Sequence, residues 1–431
     1  MEDLDKTCWR GMEIAHPARW ELAVASAAER PGECVFADRH YQRLAVKWKR
    51  VKYKPDISLL VQKFRHKLDK AEDIDLVTLE DLPEPWQGVL QTTHDGQLTQ
   101  AMRAFEESRT VVEATLVWPG RRKPALEHQV LEGMAPRWED GPVTRWRALG
   151  FDVALDKRFQ LTRSTPHAGR IHWEFDADEK AYSPLIVERL SLAGGWMTVP
   201  LHTWMAESLP VGGKVLHQRQ VLINGHRAQE LCSQNPISKL AGWMGLWRMR
   251  VDLAWQCPVE NRLYRISYSK RSRVHDIRLP ETLTVHCCQV SQAVVSREQA
   301  DAGRRKSGRP KEKFRSTEPF LRAVPYANQD MDLNRKTDGT GTAVVPMARP
   351  RYLVPPISWI LPFGRSRRVS LDQAGMSVLD LCDGRRSVEK VIEIFAADNK
   401  LTFREAQLPV TLFLRQLTQR GVIAIVGKEN E

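Results

Sequence analysis

The sequence lacks the long apolar run that a transmembrane helix requires. No stretch approaches the roughly 18 consecutive apolar residues that mark a spanning candidate. The first residues, MEDLDKTCWRGMEI, are acidic and polar, whereas a secretory signal begins basic and then becomes apolar. We therefore expect a chain without a membrane span that stays in the cytoplasm.

The motifs of common enzyme classes are also missing. The chain has no G-x-S-x-G nucleophile turn, no phosphate-binding Walker loop, no dinucleotide fingerprint and no H-E-x-x-H metal motif. Its paired acidic residues, Glu139-Asp140 and Asp178-Glu179, lie in polar, turn-like stretches that are typical of solvated surface. The sequence thus predicts a protein that is not an enzyme, with no catalytic residue and no cofactor.

Cysteine is scarce and irregularly placed. The seven cysteines are an odd number, form no C-x-x-C pair and indicate no disulfide framework. The candidate metal ligands are the run His286-Cys287-Cys288, with His275 and Cys257 as further possible ligands. Adjacent residues on a strand point to opposite faces, and no spacing matches a zinc pattern. We therefore predict no metal site.

Positive charge is what the chain has in excess. Its 431 residues include 65 Lys and Arg against 53 Asp and Glu, a formal net charge of +12, and 42% are hydrophobic. That composition can bury real cores, and the length suggests more than one domain. The charge favours an acidic partner, such as nucleic acid, an anionic surface or an acidic peptide.

An internal repeat occupies the N-terminal part. GMEIAHPARWELAVAS from Gly11 aligns without a gap with GFDVALDKRFQLTRST from Gly150, which places Trp20 opposite Phe159. Apolar residues alternate in both copies, with Gly in a turn, and this pattern predicts antiparallel strands. Tryptophans at or near these strands are expected in the core: Trp9, Trp20, Trp48, Trp146 and Trp173.

We interpret the repeat as two tandem α+β domains, residues 1–145 and 146–290. Each is expected to be a twisted antiparallel sheet with one or two packed helices on a face. The opening pattern of a short strand, a proline and an aromatic residue resembles the PsbP-like sandwich.

A basic stretch follows the repeats. Residues 301–315 contain seven Lys or Arg and two Asp or Glu, with too little apolar content to offset the entropy of ordering. We predict a partly disordered linker over residues 291–345. Within it, Gly308-Arg309-Pro310 resembles the core of a minor-groove DNA hook, and the earlier stretch Arg43–Pro55 mixes basic and aromatic residues that could contact a nucleic acid.

The C-terminal region, residues 346–431, has the pattern of a small winged-helix-like module. RRVSL, residues 367–371, predicts a strand with Val369 and Leu371 on one face and Arg368 and Ser370 on the other. Three apolar helices follow, with predicted N-caps at Asp372, Ser387 and Thr402. Gly384 is expected to end the first helix, and VIAIV forms a last strand.

This module resembles the PqqD family, the peptide chaperones of pyrroloquinoline quinone biosynthesis, and the related recognition element for RiPP precursor peptides. The resemblance rests on Gly375, the L-C-D-G of residues 381–384, the Val388/Val391/Ile392 face and FLRQLTQRGVI of residues 413–423. It implies that a leader peptide binds as an added antiparallel strand, in a groove between the last sheet strand and the third helix. The implied peptide-binding residues are, on the strand, Arg367, Arg368, Val369, Ser370 and Leu371, and, on the helix, Leu412, Arg415, Gln416 and Gln419.

Prolines predict two departures from that family. A hairpin normally precedes the strand, but YLVPPISWILPFG contains Pro355, Pro356 and Pro362, which cannot donate ladder hydrogen bonds. We therefore expect a curtailed sheet. Pro409 lies inside the third helix, where it is expected to kink or restart it.

The leading hypothesis is a non-catalytic peptide-recognition or scaffold protein. The C-terminal module would capture a segment of a partner, and an acidic segment would suit the basic Arg367 and Arg368. The two N-terminal domains would dock a second protein, such as a modifying enzyme. The alternative is a winged-helix nucleic-acid-binding protein that uses the basic linker and strand. A structural cap without a ligand and an enzyme with an unrecognised site also remain open.

Overall fold

The structure of the chain is a computed structural model. It describes residues 3–26, 31–68, 75–94, 96–137, 141–167, 169–177, 184–209, 213–236, 247–272, 277–288, 318–346 and 366–426. The chain divides into two compact units. The first comprises residues 1–166, 170–190 and 199–315, and the second comprises residues 167–169, 191–198 and 316–431. Among the described residues, no helix is both long and apolar enough to cross a membrane.

The N-terminal region is built mostly of β-strands. Its first half contains β1 (Leu4–Trp9), β2 (Met12–Pro17), β3 (Glu21–Ala25), β4 (Gly32–Ala37), β5 (Gln42–Arg50), α1 (Ile57–Leu68), β6 (Asp75–Leu79), β7 (Gln87–Thr93), β8 (Gly96–Phe105), β9 (Thr110–Trp118), α2 (Pro124–Glu132) and β10 (Met134–Pro136). Its second half contains β11 (Val143–Ala148), β12 (Phe151–Asp156), β13 (Phe159–His167), β14 (Arg170–Ala177), β15 (Leu185–Ser191), α3 (Ala193–Trp196), α4 (Leu201–Glu207), β16 (Lys214–Ile223), β17 (His226–Pro236), β18 (Trp247–Cys257), β19 (Arg262–Ser272) and β20 (Thr284–His286).

The two halves have the same strand order. One seven-stranded sheet runs β3-β4-β5-β9-β8-β7-β6, and the other runs β13-β14-β15-β19-β18-β17-β16. Both halves also contribute to a six-stranded sheet, β10-β2-β1-β11-β12-β20. In that sheet each half supplies an antiparallel hairpin and a short edge strand, and the hairpins meet where β1 pairs with β11. The order supports the predicted repeat.

Equivalent residues of the repeat have equivalent surroundings. Gly11 and Gly150 both occupy hairpin turns at φ of 73° and 71°. Each follows a residue with positive φ, Arg10 or Leu149, the backbone geometry that a tight antiparallel hairpin favours. Trp20, which directly precedes β3, and Phe159, the first residue of β13, are each 1% exposed. The domain boundaries at residues 145 and 290 stay predictions, because one compact unit holds both repeats.

Tryptophan dominates the core of the first unit, as predicted. Trp9, Trp20, Trp48, Trp146 and Trp173 are all at most 2% exposed. The ring of Trp9 lies 5.6 Å from that of Trp146 and 5.5 Å from that of Trp173, both in edge-to-face geometry. Such aromatic pairs contribute about 0.5–1.5 kcal/mol beyond the area they bury. Aromatic packing between the two repeats therefore adds to the stability that their shared sheet provides.

The second unit combines small sheets with three longer helices. Its elements are α5 (Glu318–Arg322), β21 (Val324–Ala327), β22 (Asp332–Arg335), β23 (Gly341–Pro346), β24 (Ser366–Leu371), α6 (Gln373–Leu381), α7 (Val388–Asn399), α8 (Phe403–Gln419) and β25 (Ile423–Val426). The sheets are β22-β23-β24 and β21-β25. The predicted helices are confirmed, with side-chain N-caps from Asp372, Ser387 and Thr402.

The linker prediction is wrong for residues 318–345. This segment supplies α5 and β21–β23, and its Leu321, Ala343 and Val345 are at most 4% exposed within the core of the second unit. The helix and strands of this segment are short and each buries few side chains, so its composition resembled that of a linker. The basic residues 289–317 lie outside the described residues.

The proline predictions also need correction. Residues 347–365, which include Pro355, Pro356 and Pro362, lie outside the described residues. The hairpin expected before the strand is nevertheless present farther upstream, since β22 pairs with β23 and β23 with β24. Helix α8 runs from Phe403 to Gln419 with Pro409 inside it. Its capping box and buried face compensate for the hydrogen bond that proline cannot make.

A pair of glycine substitutions tests the repeat's hairpin turn. Gly141→Ala meets open space at φ 72°, so we expect only the backbone cost of about 1–2 kcal/mol. Gly150→Ala would place Cβ 1.8 Å from Nη1 of Arg189, a side chain that is 1% exposed. We expect a further loss of about 1–3 kcal/mol from overpacking, measured by urea unfolding with tryptophan fluorescence. Equal losses would contradict the packing described.

Two fragments test the correction to the linker. A fragment of residues 316–431 should fold, with dispersed amide resonances and cooperative thermal unfolding. A fragment of residues 347–431 should not, because it lacks β23 and buried side chains such as Leu321, each contributing about 2–5 kcal/mol. Cooperative unfolding of the shorter fragment would show that residues 318–346 are dispensable.

Candidate functional site

A groove lies between one end of the β22-β23-β24 sheet and helix α8. Its volume is about 550 Å³. Its lining comes from the β22–β23 hairpin, the end of β24 and one face of α8: Lys336, Thr340, Gly341, Thr342, Ser370, Leu371, Asp372, Phe413, Gln416, Leu417 and Arg420. Segments from both sides of the undescribed stretch 347–365 thus meet at one site.

The sheet wall follows from alternation along β24. Val369 and Leu371 are 2% and 4% exposed, whereas Arg367, Arg368 and Ser370 are exposed, which confirms the predicted facing. β24 pairs with β23 on one side, through Gly341↔Leu371 and Thr342↔Ser370. Among the described residues no strand pairs with its other side. β24 is therefore an edge strand with backbone groups that can pair with an added strand.

The helix wall is one face of α8. Thr402 and Glu405 form a capping box at its start, and Val410, Leu414 and Leu417 anchor it in the core. Phe413, Gln416 and Arg420 follow at helical spacing and line the groove. The buried face thus fixes which polar side chains reach the site.

Gly375 permits the close packing at the base of the groove. A Cβ on this residue would lie 2.9 Å from both Cζ of Phe413 and Oδ1 of Asp372. The Asp372 carboxylate accepts a hydrogen bond from the backbone N–H of Gly375 at 2.7 Å. Capping of α6 and placement of the Phe413 ring therefore depend on the same glycine.

The charged groups around the groove are mostly basic. Lys336 and Arg420 line it, and the Asp372 carboxylate is engaged at the N-terminus of α6. Arg367 donates from Nη1 to the carbonyl oxygen of Gln419 at 3.4 Å, an interaction that suits the C-terminal end of a helix. The site is better suited to an anionic ligand than to a cationic one.

The predicted site residues divide into two groups. Ser370, Leu371 and Gln416 line the groove, whereas Arg367, Arg368, Val369, Leu412, Arg415 and Gln419 do not. Arg415 lies with its guanidinium 5.9 Å from the ring of Phe320. Leu412 is 45% exposed beside Leu408, at 53%. These two form an apolar pair outside the groove.

Sequence reasoning missed the hairpin residues Lys336 and 340–342, together with Phe413, Leu417 and Arg420. The hairpin was hidden by its assignment to the linker. The three helix residues had an available signal, since they follow the spacing of Gln416 on the same helical face.

The first unit contains the candidate metal ligands. His226, Cys257, Cys287 and Cys288 bring their ligand atoms within 4.8 Å of one another. The argument that Cys287 and Cys288 must point to opposite faces is wrong, because β20 ends at His286 and both cysteines lie beyond it. His275 lies outside the described residues.

Comparison with protein families identifies the C-terminal region. The family described as "Coenzyme PQQ synthesis protein D (PqqD)" matches residues 359–423. These residues are a PqqD family domain, which confirms the resemblance read from the sequence. The match leaves the N-terminal region unassigned, and no curated protein matches the chain.

Solved structures give only distant similarities. The chain is similar to immunity protein TplEi of T6SS from Pseudomonas aeruginosa, complexed with "L" peptide (11% identity, TM-score 0.26) and in the apo form (10%, 0.27), each covering 64% of this chain and 90% of that chain. It is also similar to PA94 from Pseudomonas aeruginosa, a protein of unknown function (16%, TM-score 0.18, 30% of this chain and 83% of that chain).

Replacing Gly375 tests how the groove is built. Gly375→Ala forces either the Phe413 ring or the Asp372 cap to move, so we expect the second unit to lose about 1–3 kcal/mol. Ser377→Ala, at an exposed position of the same helix, should change stability by no more than about 0.5 kcal/mol. Urea unfolding of residues 316–431 measures both. Indistinguishable variants would contradict the close contact.

Proposed function

We propose that this chain is a peptide-recognition protein whose PqqD family domain captures an extended segment of a partner against β24 and α8. The observation that carries the proposal is an edge strand, β24, whose last residues open into a groove walled by the third helix. Edge strands bind peptides through backbone hydrogen bonds, and side-chain pockets beside them select the sequence.

Different parts of a bound peptide would make different kinds of contact. Backbone pairing would extend along β24, from Ser366 to Leu371. Only Ser370 and Leu371 of this strand line the groove, so a side chain of the peptide near that end would enter it. Phe413 and Leu417 offer apolar contacts there, while Gln416 offers hydrogen-bonding groups. Selectivity would thus be concentrated at one end of the strand.

An acidic partner segment is the best match for the surrounding charge. Lys336 and Arg420 flank the groove, and Arg367 and Arg368 are exposed on β24. Exposed ion pairs contribute about 0.2–1 kcal/mol each. Charge would therefore bias selection, while strand pairing supplies most of the affinity.

The wider role belongs to the same proposal. We infer a non-catalytic, cytoplasmic scaffold in which the second unit holds a peptide and the first unit docks a second protein, such as an enzyme that modifies the peptide. The sequence carries none of the common catalytic motifs, which supports the non-catalytic part of this role.

Binding of two designed peptides to the full chain tests the proposal. Both alternate Val with a charged residue, Asp in one and Lys in the other, and carry a fluorophore for anisotropy. We expect the Asp peptide to bind more tightly. Arg420→Glu and Lys336→Glu should each weaken it by up to about fivefold, equivalent to about 1 kcal/mol.

Two charge reversals serve as controls. Arg385→Glu and Arg415→Glu alter exposed residues that do not line the groove, so both should retain affinity for the Asp peptide. If neither peptide binds and duplex DNA binds with a steep salt dependence, the nucleic-acid alternative replaces this proposal.

A further inference from the structure

Four potential metal ligands converge in the first unit. The group, here called the Cys3His cluster, comprises His226, Cys257, Cys287 and Cys288, with ligand atoms all within 4.8 Å of one another. Nε2 of His226 lies 3.3 Å from Sγ of Cys288. Cys257 and Cys287 are buried, and the other two are partly buried. Three thiols and an imidazole are a donor set that proteins use for zinc.

The fold assembles the Cys3His cluster from three distant segments. His226 begins β17, directly after a turn in which Asn224 and Gly225 have φ of 50° and 79°. Cys257 is the last residue of β18. Cys287 and Cys288 directly follow β20, which belongs to the six-stranded sheet, whereas β17 and β18 belong to a seven-stranded sheet. The cluster therefore lies where two sheets come together.

We propose that the Cys3His cluster is a structural zinc site. In a tetrahedral site, Zn–S bonds of about 2.3 Å and a Zn–N bond of about 2.0 Å place neighbouring ligand atoms roughly 3.5–3.8 Å apart. The spacing in the cluster needs only small side-chain adjustments to reach that geometry. Four protein ligands complete the coordination, which is typical of structural rather than catalytic zinc.

Surrounding groups are placed to support thiolate ligands. The side chain of Asn224 donates from Nδ2 to the carbonyl oxygen of Val285 at 2.6 Å and lies 3.7 Å from Sγ of Cys287. Such outer contacts orient metal ligands.

Zinc would serve a clear structural purpose here. β20 is only three residues long, so its pairing with β12 supplies few hydrogen bonds. A metal would tie the segment after β20 to the ends of β17 and β18. The other candidate group, His217, Glu230 and Cys232, is less suitable because Arg219 already pairs with Glu230 at 2.7 Å.

Metal analysis of the full chain, purified under reducing conditions, tests the proposal. We expect elemental mass spectrometry to find one zinc ion per chain. Replacement by Co²⁺ should give the visible absorption bands of tetrahedral cobalt thiolate. Cys288→Ser and His226→Ala should lose equimolar binding, whereas Cys8→Ser, which removes another partly buried cysteine, should retain it. Asn224→Ala should weaken zinc about tenfold.

Further measurements distinguish a zinc site from a cluster of side chains that binds no metal. A strong chelator should lower the thermal midpoint of the wild type and of Cys8→Ser, but not that of Cys288→Ser. The proposal is overturned if the wild type neither contains zinc nor binds Zn²⁺ or Co²⁺ stoichiometrically. Equal binding by Cys288→Ser, or a disulfide within the cluster in the reduced preparation, would overturn it as well.

Discussion

Antiparallel pairing of β1 with β11 is the contact on which the first unit depends. It joins hairpins far apart in the sequence into one sheet, with Cys8 opposite Arg147. It also brings the Trp9 ring against Trp146 and Trp173. Without that pairing, each hairpin would expose a strand edge and a large aromatic ring, both unfavourable in water. The repeat is therefore stabilised by burying the edges of its own copies against each other.

In the second unit, strand pairing leaves one edge available. β23 satisfies one side of β24 while the other side has no paired strand among the described residues. The side chains that pack α8 into the core also present Phe413, Gln416 and Arg420 to the groove. The buried side chains and the groove side chains thus lie on adjoining faces of the same helix, and Leu417 belongs to both sets. The packing of α8 therefore also holds the groove side chains in place.

The Cys3His cluster illustrates a different use of strand ends. Side chains at the ends of β17 and β18 and beyond β20 converge because the ladder has stopped and the chain can turn. Alternation, which separates neighbouring residues inside a strand, no longer applies there. A metal at this place would tie the segment after β20, which short backbone pairing secures only weakly, to the ends of β17 and β18.

Local patterns in the sequence determined a substantial part of the structure. The match of Gly11 with Gly150 predicted equivalent turns, and the caps at Asp372, Ser387 and Thr402 predicted helix starts, because each depends on a few neighbouring residues. The facing of Val369 and Leu371 and the PqqD resemblance were read in the same way. Burial of the tryptophans followed from their size and their place in alternating segments.

Only the tertiary structure decided which distant segments meet. β22 and β23 looked like linker because the short hairpin that they form is completed by pairing of β23 with β24, and its buried side chains join a core supplied mostly by the helices. Lys336 therefore could not be assigned to the groove from the sequence. Likewise, His226 stands 31 residues before Cys257, a separation that matches no recognisable ligand spacing. The register of the sheet brings these two residues together, and the end of β20 adds Cys287 and Cys288. Pairing between distant strands, which no local sequence pattern encodes, decided which residues meet in the groove and in the Cys3His cluster.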